Sequence, residues 1–385
     1  MPAEALLSGL THVHTREEFA KKLATGRPLR VKLGFDPSAP DLHLGHALVL
    51  AKVRQFQDAG HLAVIIVGDY TARVGDPTGR SKTRPALEPE LIEKNAKTYT
   101  DQVFRILDPQ HTEVRRNGEW LAKLTCADLL RLNSQVNVAR MLERDDFSKR
   151  YKDGVAISLA EFQYPVLQGY DSVAVRSDIE LGGNDQLFNN LVGRDLQRQA
   201  GQEPQVVLVT ALLTGTDGKQ KMSKSLGNHI GITEPANEIF GKVMSIPDET
   251  CAVWRDLLGS FLGLPRETPA HPMEAKKELA GAAVRRFHGD ASATAARADF
   301  EAKFSKKDLS SAEMDSFHPS SASLSVAKLV QETGVISSNS EARRLITQGG
   351  VKLDGAKLSD PKADISLHSG QVLQIGKKTF FRIAL

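Results

Sequence analysis

The sequence predicts an α/β fold: a doubly wound parallel sheet as the main body, carrying a helical insert, followed by a helical domain and a small α+β C-terminal module. Three observations predict it. Strand, helix and strand patterns occur twice, around residues 31–67 and 179–210. Their strands are predominantly apolar, of the kind buried on both faces of a parallel sheet. The chain from Ser325 onward carries nine Lys and Arg against five Asp and Glu, in a protein whose net charge is only +3.

The first unit begins with VKLGF from Val31, continues through a Pro-containing loop into HLGHALVLAKVRQFQDAGH, and ends in AVIIV. Leu44, Leu48, Val49, Val53 and Phe56 recur at helical spacing, Asp41 is a candidate N-cap, and Gly60 is a stop signal. The second unit has a strand at Ile179–Leu181, two glycines, a helix capped by Asn184 and running to about Gln199, and the strand VVLVT at 206–210. Two such halves form a Rossmann-like body, residues 1–232, whose ligands bind at the carboxyl ends of the strands.

Residues 90–165 are rich in Leu and Arg and too long for a simple connection, so they read as a helical insert. Residues 233–304 form a further helical domain, and the Ser-rich stretch 305–324 reads as a linker. In the module 325–385, Ser338 and Glu341 have capping-box spacing, Ala342, Leu345 and Ile346 share one helix face, and Gly349 is the stop. VKLDGAKL and QVLQIGKKTFFRI read as two hairpins. Arg343 and Arg344 fall off the apolar face, where they suit contact with the phosphates of structured RNA; protein docking on that face is the lesser alternative, and on composition alone the module's basic excess is equally a solvated surface.

Composition of 41% hydrophobic and 25% charged residues is that of an ordinary folded protein. The longest apolar run, Leu62–Val67, which includes Ala63–Val67, is far short of the ~20 residues that span a bilayer, and the N-terminus lacks a signal-peptide pattern, so a cytoplasmic protein is expected. Cys126 and Cys251 stand alone, which argues against a disulfide framework or a cysteine zinc site.

Two segments carry the chemistry. His43-Leu44-Gly45-His46 opens the first helix, where free N–H groups and a partial positive charge favour phosphate. Gly45 leaves room for a nucleotide to approach the backbone. Lys221-Met222-Ser223-Lys224-Ser225 follows the last strand in a loop flanked by Gly218 and Gly227, able to close over a triphosphate. Neutral imidazoles and ammonium groups there stabilise the charge that develops when a carboxylate attacks an α-phosphate and pyrophosphate leaves. Taken singly, His-x-x-His could ligate zinc and the lysines could be a basic loop, but no further ligand stands in metal-site spacing.

With these segments the sequence resembles the class I aminoacyl-tRNA synthetases, whose two signatures read HIGH and KMSKS. It is most similar to the bacterial tyrosyl-tRNA synthetase family, through GFDPSAPDLHLGH, GDPTGRSKTRP, FQYPVLQGYDS, LGGNDQ and the C-terminal RNA-binding module. The resemblance implies activation of L-tyrosine with ATP, accompanied by Mg²⁺, then transfer to the 3′ end of tRNA(Tyr) by a homodimer whose helical insert forms the interface. It implies anticodon binding by residues 233–304 and tRNA contact by Arg343 and Arg344. It places Gly34, Asp36, Ser38, His43, His46, Gly183, Asp185 and Lys224 at ATP, and Arg80, Arg84 and Lys221 with His43, His46 and Lys224 at the triphosphate. Thr71, Asp76, Tyr164, Gln168 and Gln186 are placed around the amino acid, with Asp171 as acceptor for the phenol hydroxyl.

Tyr164, Gln168 and Asp171 stand at i, i+4 and i+7, so one helix face presents all three. Two positions depart from the family pattern. Lys32 stands where many members have a tyrosine that also meets the phenol, so Lys32 either bonds the phenol oxygen itself or leaves that task to Asp171. Leu187 replaces a family tryptophan. A tryptophan-specific enzyme of the same fold would need no phenol acceptor, and a non-catalytic RNA-binding relative would need neither the histidines nor the lysines.

Overall fold

Six strands form the sheet that positions the site: β1 (Leu10–His14), β2 (Arg30–Phe35), β3 (Leu62–Val67), β4 (Thr112–Arg116), β5 (Ile179–Gly183) and β6 (Val206–Thr210). Their spatial order in the computed structural model is β1-β6-β5-β2-β3-β4. All neighbours run parallel except β1, which pairs antiparallel with β6 at the edge. The chain winds outward from β2 through β3 to β4, then returns to the other side of β2 for β5 and β6. The switch point therefore lies between β2 and β5, and a crevice opens there beyond the carboxyl ends of the strands. The central strands are buried on both faces: Val31, Ala63, Val64 and Val206 through Val209 are fully enclosed. This is the doubly wound sheet expected from the apolar runs.

The structure describes residues 3–37, 40–78, 88–306, 314–336, 338–376 and 379–385. It contains two compact units, Met1–Thr294 and Ala295–Leu385. In the first, the Leu44–Asp58 helix is capped by His43 rather than by Asp41: the His43 ring accepts the Gly45 amide at 3.2 Å, and the His46 ring accepts the His43 amide at 3.2 Å. Asp41 is instead paired with Lys224. Gly60 follows the helix at φ +88°, a conformation that suits glycine. Asn184 does not cap a helix directly but opens a 3₁₀ turn, Asn184–Gln186, before the Leu187–Gln199 helix.

The expected helical insert holds the helices Pro89–Val103, Cys126–Asn133 and Asp145–Lys152, and also the unexpected strand β4. β4 reads TEVRR because it is a sheet edge, where Arg116 pairs with Glu93 and Arg115 with Glu119. The helices Ala236–Met244, Asp248–Leu262 and Pro272–Phe300 follow, the last interrupted at Gly289. Among the described residues, no helix is long and apolar enough to cross a membrane.

The second unit contains a five-stranded sheet in the order β10-β9-β12-β13-β7 and a two-stranded β11-β8 ribbon. Its strands are β7 (Asp315–Phe317), β8 (Ser323–Ser325), β9 (Val351–Leu353), β10 (Ala356–Lys357), β11 (Asp364–Ser366), β12 (Val372–Ile375) and β13 (Thr379–Ile383). The stretch expected as a linker thus supplies two strands. β7 runs beside β13, and Phe317 packs against Phe381 at 5.8 Å between ring centroids. Asp354 and Gly355 turn the β9-β10 hairpin at φ +47° and +83°, as their dipeptide predicts. Val326, Leu329, Ala342, Ile346, Leu373 and Ile383 form the core, leaving Arg343 and Arg344 exposed on the Asn339–Thr347 helix.

Candidate active site

A cleft of about 410 Å³ opens at the switch point, between the ends of β2, β5 and β6, the start of the Leu44–Asp58 helix, the Leu159–Val175 helix and the 211–225 loop. It is lined by Gly34, Asp36, His43, His46, Thr71, Asp76, Tyr164, Gln168, Asp171, Gly183, Asp185, Gln186, Lys221 and Lys224. Ser38, Arg80 and Arg84 lie outside the described residues. Lys32 does not line the cleft: its side chain is enclosed beneath it, with Nζ 2.8 Å from Glu180, 2.7 Å from Ser172 Oγ and 3.2 Å from the Gln168 carbonyl. Of the two roles left open for Lys32, direct contact with a ligand is the one this placement disfavours.

One end of the cleft is a carboxylate pocket. Asp171 accepts the Trp120 indole N–H at 2.8 Å and an Asn117 amide N–H at 3.2 Å. Asn117 also donates to Thr71 Oγ1, and Thr71 and Tyr164 each donate to Asp36, at 2.8 and 2.9 Å. Asp36, expected at ATP, therefore organises the Thr71 and Tyr164 side chains. A Cβ at Gly68 would fall 2.1 Å from Asp36 Oδ1 and 2.4 Å from Thr71 Oγ1, so only glycine lets these groups meet. Asp76 accepts the Gln186 amide at 2.9 Å, and Asn189 joins Gln186 to Gln168. Burial lifts Asp171 to about 7, against the opposing pull of Lys32 and of the Trp120 and Asn117 donors. Buried beside Asp36, the Tyr164 phenol is pushed well above its ordinary value and stays a donor.

The other end is cationic. The His43 and His46 rings pack at a tilt of 39°, with centroids 3.9 Å apart. Burial, then each other and the nearby lysines, hold His43 far below the ordinary histidine value, and burial with Lys224 lowers His46 to about 4. Both rings are neutral at pH 7. Since each Nδ1 accepts a backbone amide, each proton sits on Nε2, where it can be offered to a phosphate oxygen. Lys221 rests on Asp185 at 2.8 Å and Lys224 on Asp41 at 3.2 Å. Asn228 pins the loop between them, accepting the Ser223 amide and donating to the Lys221 carbonyl and Asp217. A bridge between His43 and Gly231, with the Leu44 amide on the Ile230 carbonyl, fastens the end of that loop to the first helix.

Trp120, Asn117, Asn228 and Gly68 escaped the sequence reading, and Asp41 was read only as a helix cap, not as the partner of Lys224. Trp120 alone left a signal, as one of only two tryptophans in the chain. Among the described residues, no group of three His, Cys, Asp or Glu side chains could hold a metal ion. The arrangement suits a ligand with a cationic, hydroxyl-bearing part at one end and a polyphosphate at the other.

Residues 24–305 match the family model of tRNA synthetases class I (W and Y), and residues 326–368 match the S4 domain. The chain is 48% identical to the tyrosine–tRNA ligase of Francisella tularensis, over 99% of this chain and 98% of that one. It is 49% identical to that of Thermotoga maritima, over 96% and 94%. The structure of the tyrosyl-tRNA synthetase from Archaeoglobus fulgidus complexed with L-tyrosine superposes with a TM-score of 0.62 at 21% identity, covering 77% of this chain and 98% of that one. That from Aeropyrum pernix gives 0.61 at 19%, covering 78% and 98%. At these identities the solved structures share the fold, while the full-length relatives fix the family. With the signatures, the cleft and these relatives in agreement, the chain belongs to the class I tyrosyl-tRNA synthetase family.

Proposed function

We propose that the cleft activates L-tyrosine with ATP and that the protein then esterifies tRNA(Tyr). The carrying observation is the polarity of the cleft: the buried Asp171 carboxylate with Asp76, Tyr164 and Gln168 at one end, two neutral histidines and two lysines at the other. The relatives named tyrosine–tRNA ligase support the same reading.

The substrate ammonium has Asp76, Gln168 and Tyr164 as partners, and its phenol hydroxyl donates to Asp171. The tyrosine carboxylate oxygen attacks the α-phosphorus, the bond to the bridging oxygen breaks, and pyrophosphate leaves. His43 and His46 donate to the phosphate oxygens, while Lys221 and Lys224 leave Asp185 and Asp41 to follow the charge onto pyrophosphate. Mg²⁺ arrives with the phosphates as part of the substrate. Asp185, once released by Lys221, is a ribose acceptor beside Gly183. In the second step a ribose hydroxyl of the terminal tRNA adenosine attacks the tyrosyl carbonyl carbon, and AMP leaves.

The exposed Arg343 and Arg344 and the module's basic balance support tRNA binding at the second unit. Residues 233–304 are the proposed anticodon-binding part. Leu130, Val138, Tyr151 and Leu159 of the insert are each more than 60% exposed, and these uncovered apolar side chains support a homodimer through this region. A cytoplasmic location fits translation.

Charging of unfractionated tRNA with labelled tyrosine tests the complete reading. A chain ended after Lys306, which removes β7 together with the rest of its sheet, is expected to retain tyrosine-dependent pyrophosphate exchange. It should lose most tRNA charging, and charging by the full chain should fall steeply with salt. Equal charging by both would contradict the role of the module.

A further inference from the structure

Beneath the amino-acid end of the cleft lies a buried ion pair. Lys32 and Glu180 are direct partners across β2 and β5, 0% and 2% exposed, with Nζ and Oε1 2.8 Å apart. The three ammonium protons go to Glu180, Ser172 Oγ and the Gln168 carbonyl. Glu180 in turn accepts the Ser172 hydroxyl at 3.1 Å and the Gln205 amide. Taking two charges out of water costs several kcal/mol for each, and an apolar pair of similar volume is often as stable, so folding alone does not account for them.

Their placement does. Gln168 and Ser172 lie on the single helical turn that also carries Asp171, and Lys32 grips that turn at both ends. The charged and titratable groups facing Asp171 are Lys32 from β2, Glu180 from β5 and Tyr164 from its own helix, with Asp36 and Asp76 beyond Tyr164. Lys32 is the only cation among them. It opposes the burial of Asp171 more strongly than Glu180 reinforces it.

We propose that Lys32, paired with Glu180 and bonded to Ser172 and the Gln168 carbonyl, is a positioning residue for tyrosine: it fixes the turn bearing Asp171 and supplies the positive charge that faces its carboxylate. This rests on the reading that the phenol hydroxyl meets Asp171.

The test uses full-length protein and tyrosine-dependent pyrophosphate exchange from pH 5.5 to 9. Lys32→Met/Glu180→Gln removes both charges together and leaves neither buried alone. Its tyrosine kcat/KM is expected to fall about tenfold more at pH 6.5 than at pH 8.5, because the acidic limb moves to higher pH. The loss should appear in the tyrosine KM, with kcat and the KM for ATP within about twofold of wild type. Ser172→Ala, a smaller change that keeps both charges, should raise the tyrosine KM severalfold without moving the limb. A folded double variant with the wild-type pH profile, or a Ser172→Ala protein with the wild-type tyrosine KM, would overturn the proposal. Failure of the wild type to exchange with tyrosine at all would instead sink the reading of Asp171, so the two failures are distinct.

Discussion

Asp171→Ala is expected to lower the kcat/KM for tyrosine activation by about 10³ or more while changing that for phenylalanine by about tenfold or less. The two amino acids differ by one hydroxyl, which an apolar pocket could not separate well. A site built to bond that hydroxyl rejects the analogue by roughly 10⁴ to 10⁵, because its buried polar group is left unpaired. Asp171 is such a group: 3% exposed, held by Trp120 and Asn117, with acceptor capacity to spare for one more donor. Phenylalanine would bury it without that donor. Removing the carboxylate also orphans the Trp120 and Asn117 donors at a cost of about 1–3 kcal/mol each, so the variant should melt earlier. Asp171→Asn, which keeps the shape and one acceptor for Trp120, separates the two effects: it should regain most of the stability and little of the selectivity. Unchanged discrimination in Asp171→Ala would remove the main physical support for a tyrosine pocket.

Lys224→Ala is expected to slow adenylate formation by about 10² to 10³, or roughly 3–4 kcal/mol, with tyrosine binding little changed. In the cleft Lys224 rests on the half-exposed Asp41, 3.2 Å away. Ion pairs of this exposure contribute about 0–1 kcal/mol, so leaving Asp41 costs little compared with what the ammonium gains on a departing pyrophosphate. Asp41→Asn should therefore leave the rate of the chemical step within a few-fold of wild type. Single-turnover formation of adenylate, with tyrosine affinity measured separately, checks both variants. A normal rate in Lys224→Ala would show that the charge on the leaving group is met elsewhere.

The two halves of the sheet were legible because their strands are buried on both faces and mostly apolar, with Lys32 and Glu180 as buried charged exceptions. β4 was not, because an edge strand fills its outer positions with charge: Arg115 and Arg116 read as surface helix until Glu93 and Glu119 are seen beside them. β7 and β8 were hidden by serine-rich composition, although Phe317 gives one apolar anchor to the module. Within the cleft, signature side chains stood in short segments and could be read directly. Their partners came from distant positions, such as Asn117 and Trp120 beneath Asp171 or Asn228 behind the lysine loop, and no local spacing announces such contacts. The capping of the first helix shows how function displaces local preference. Asp41 is the better cap by type, yet it holds Lys224, and His43, which lines the cleft, caps the helix through Nδ1.

ATP–pyrophosphate exchange by the wild-type protein, run with each of the twenty amino acids in turn and no tRNA present, tests the central claim most directly. Exchange is expected with tyrosine alone at ordinary concentrations, with phenylalanine lower in kcat/KM by roughly 10⁴ or more and tryptophan at background. Exchange driven by tryptophan or by phenylalanine as well as by tyrosine would contradict the assignment of Asp171 as the selecting group, and exchange with no amino acid would contradict the activation chemistry itself.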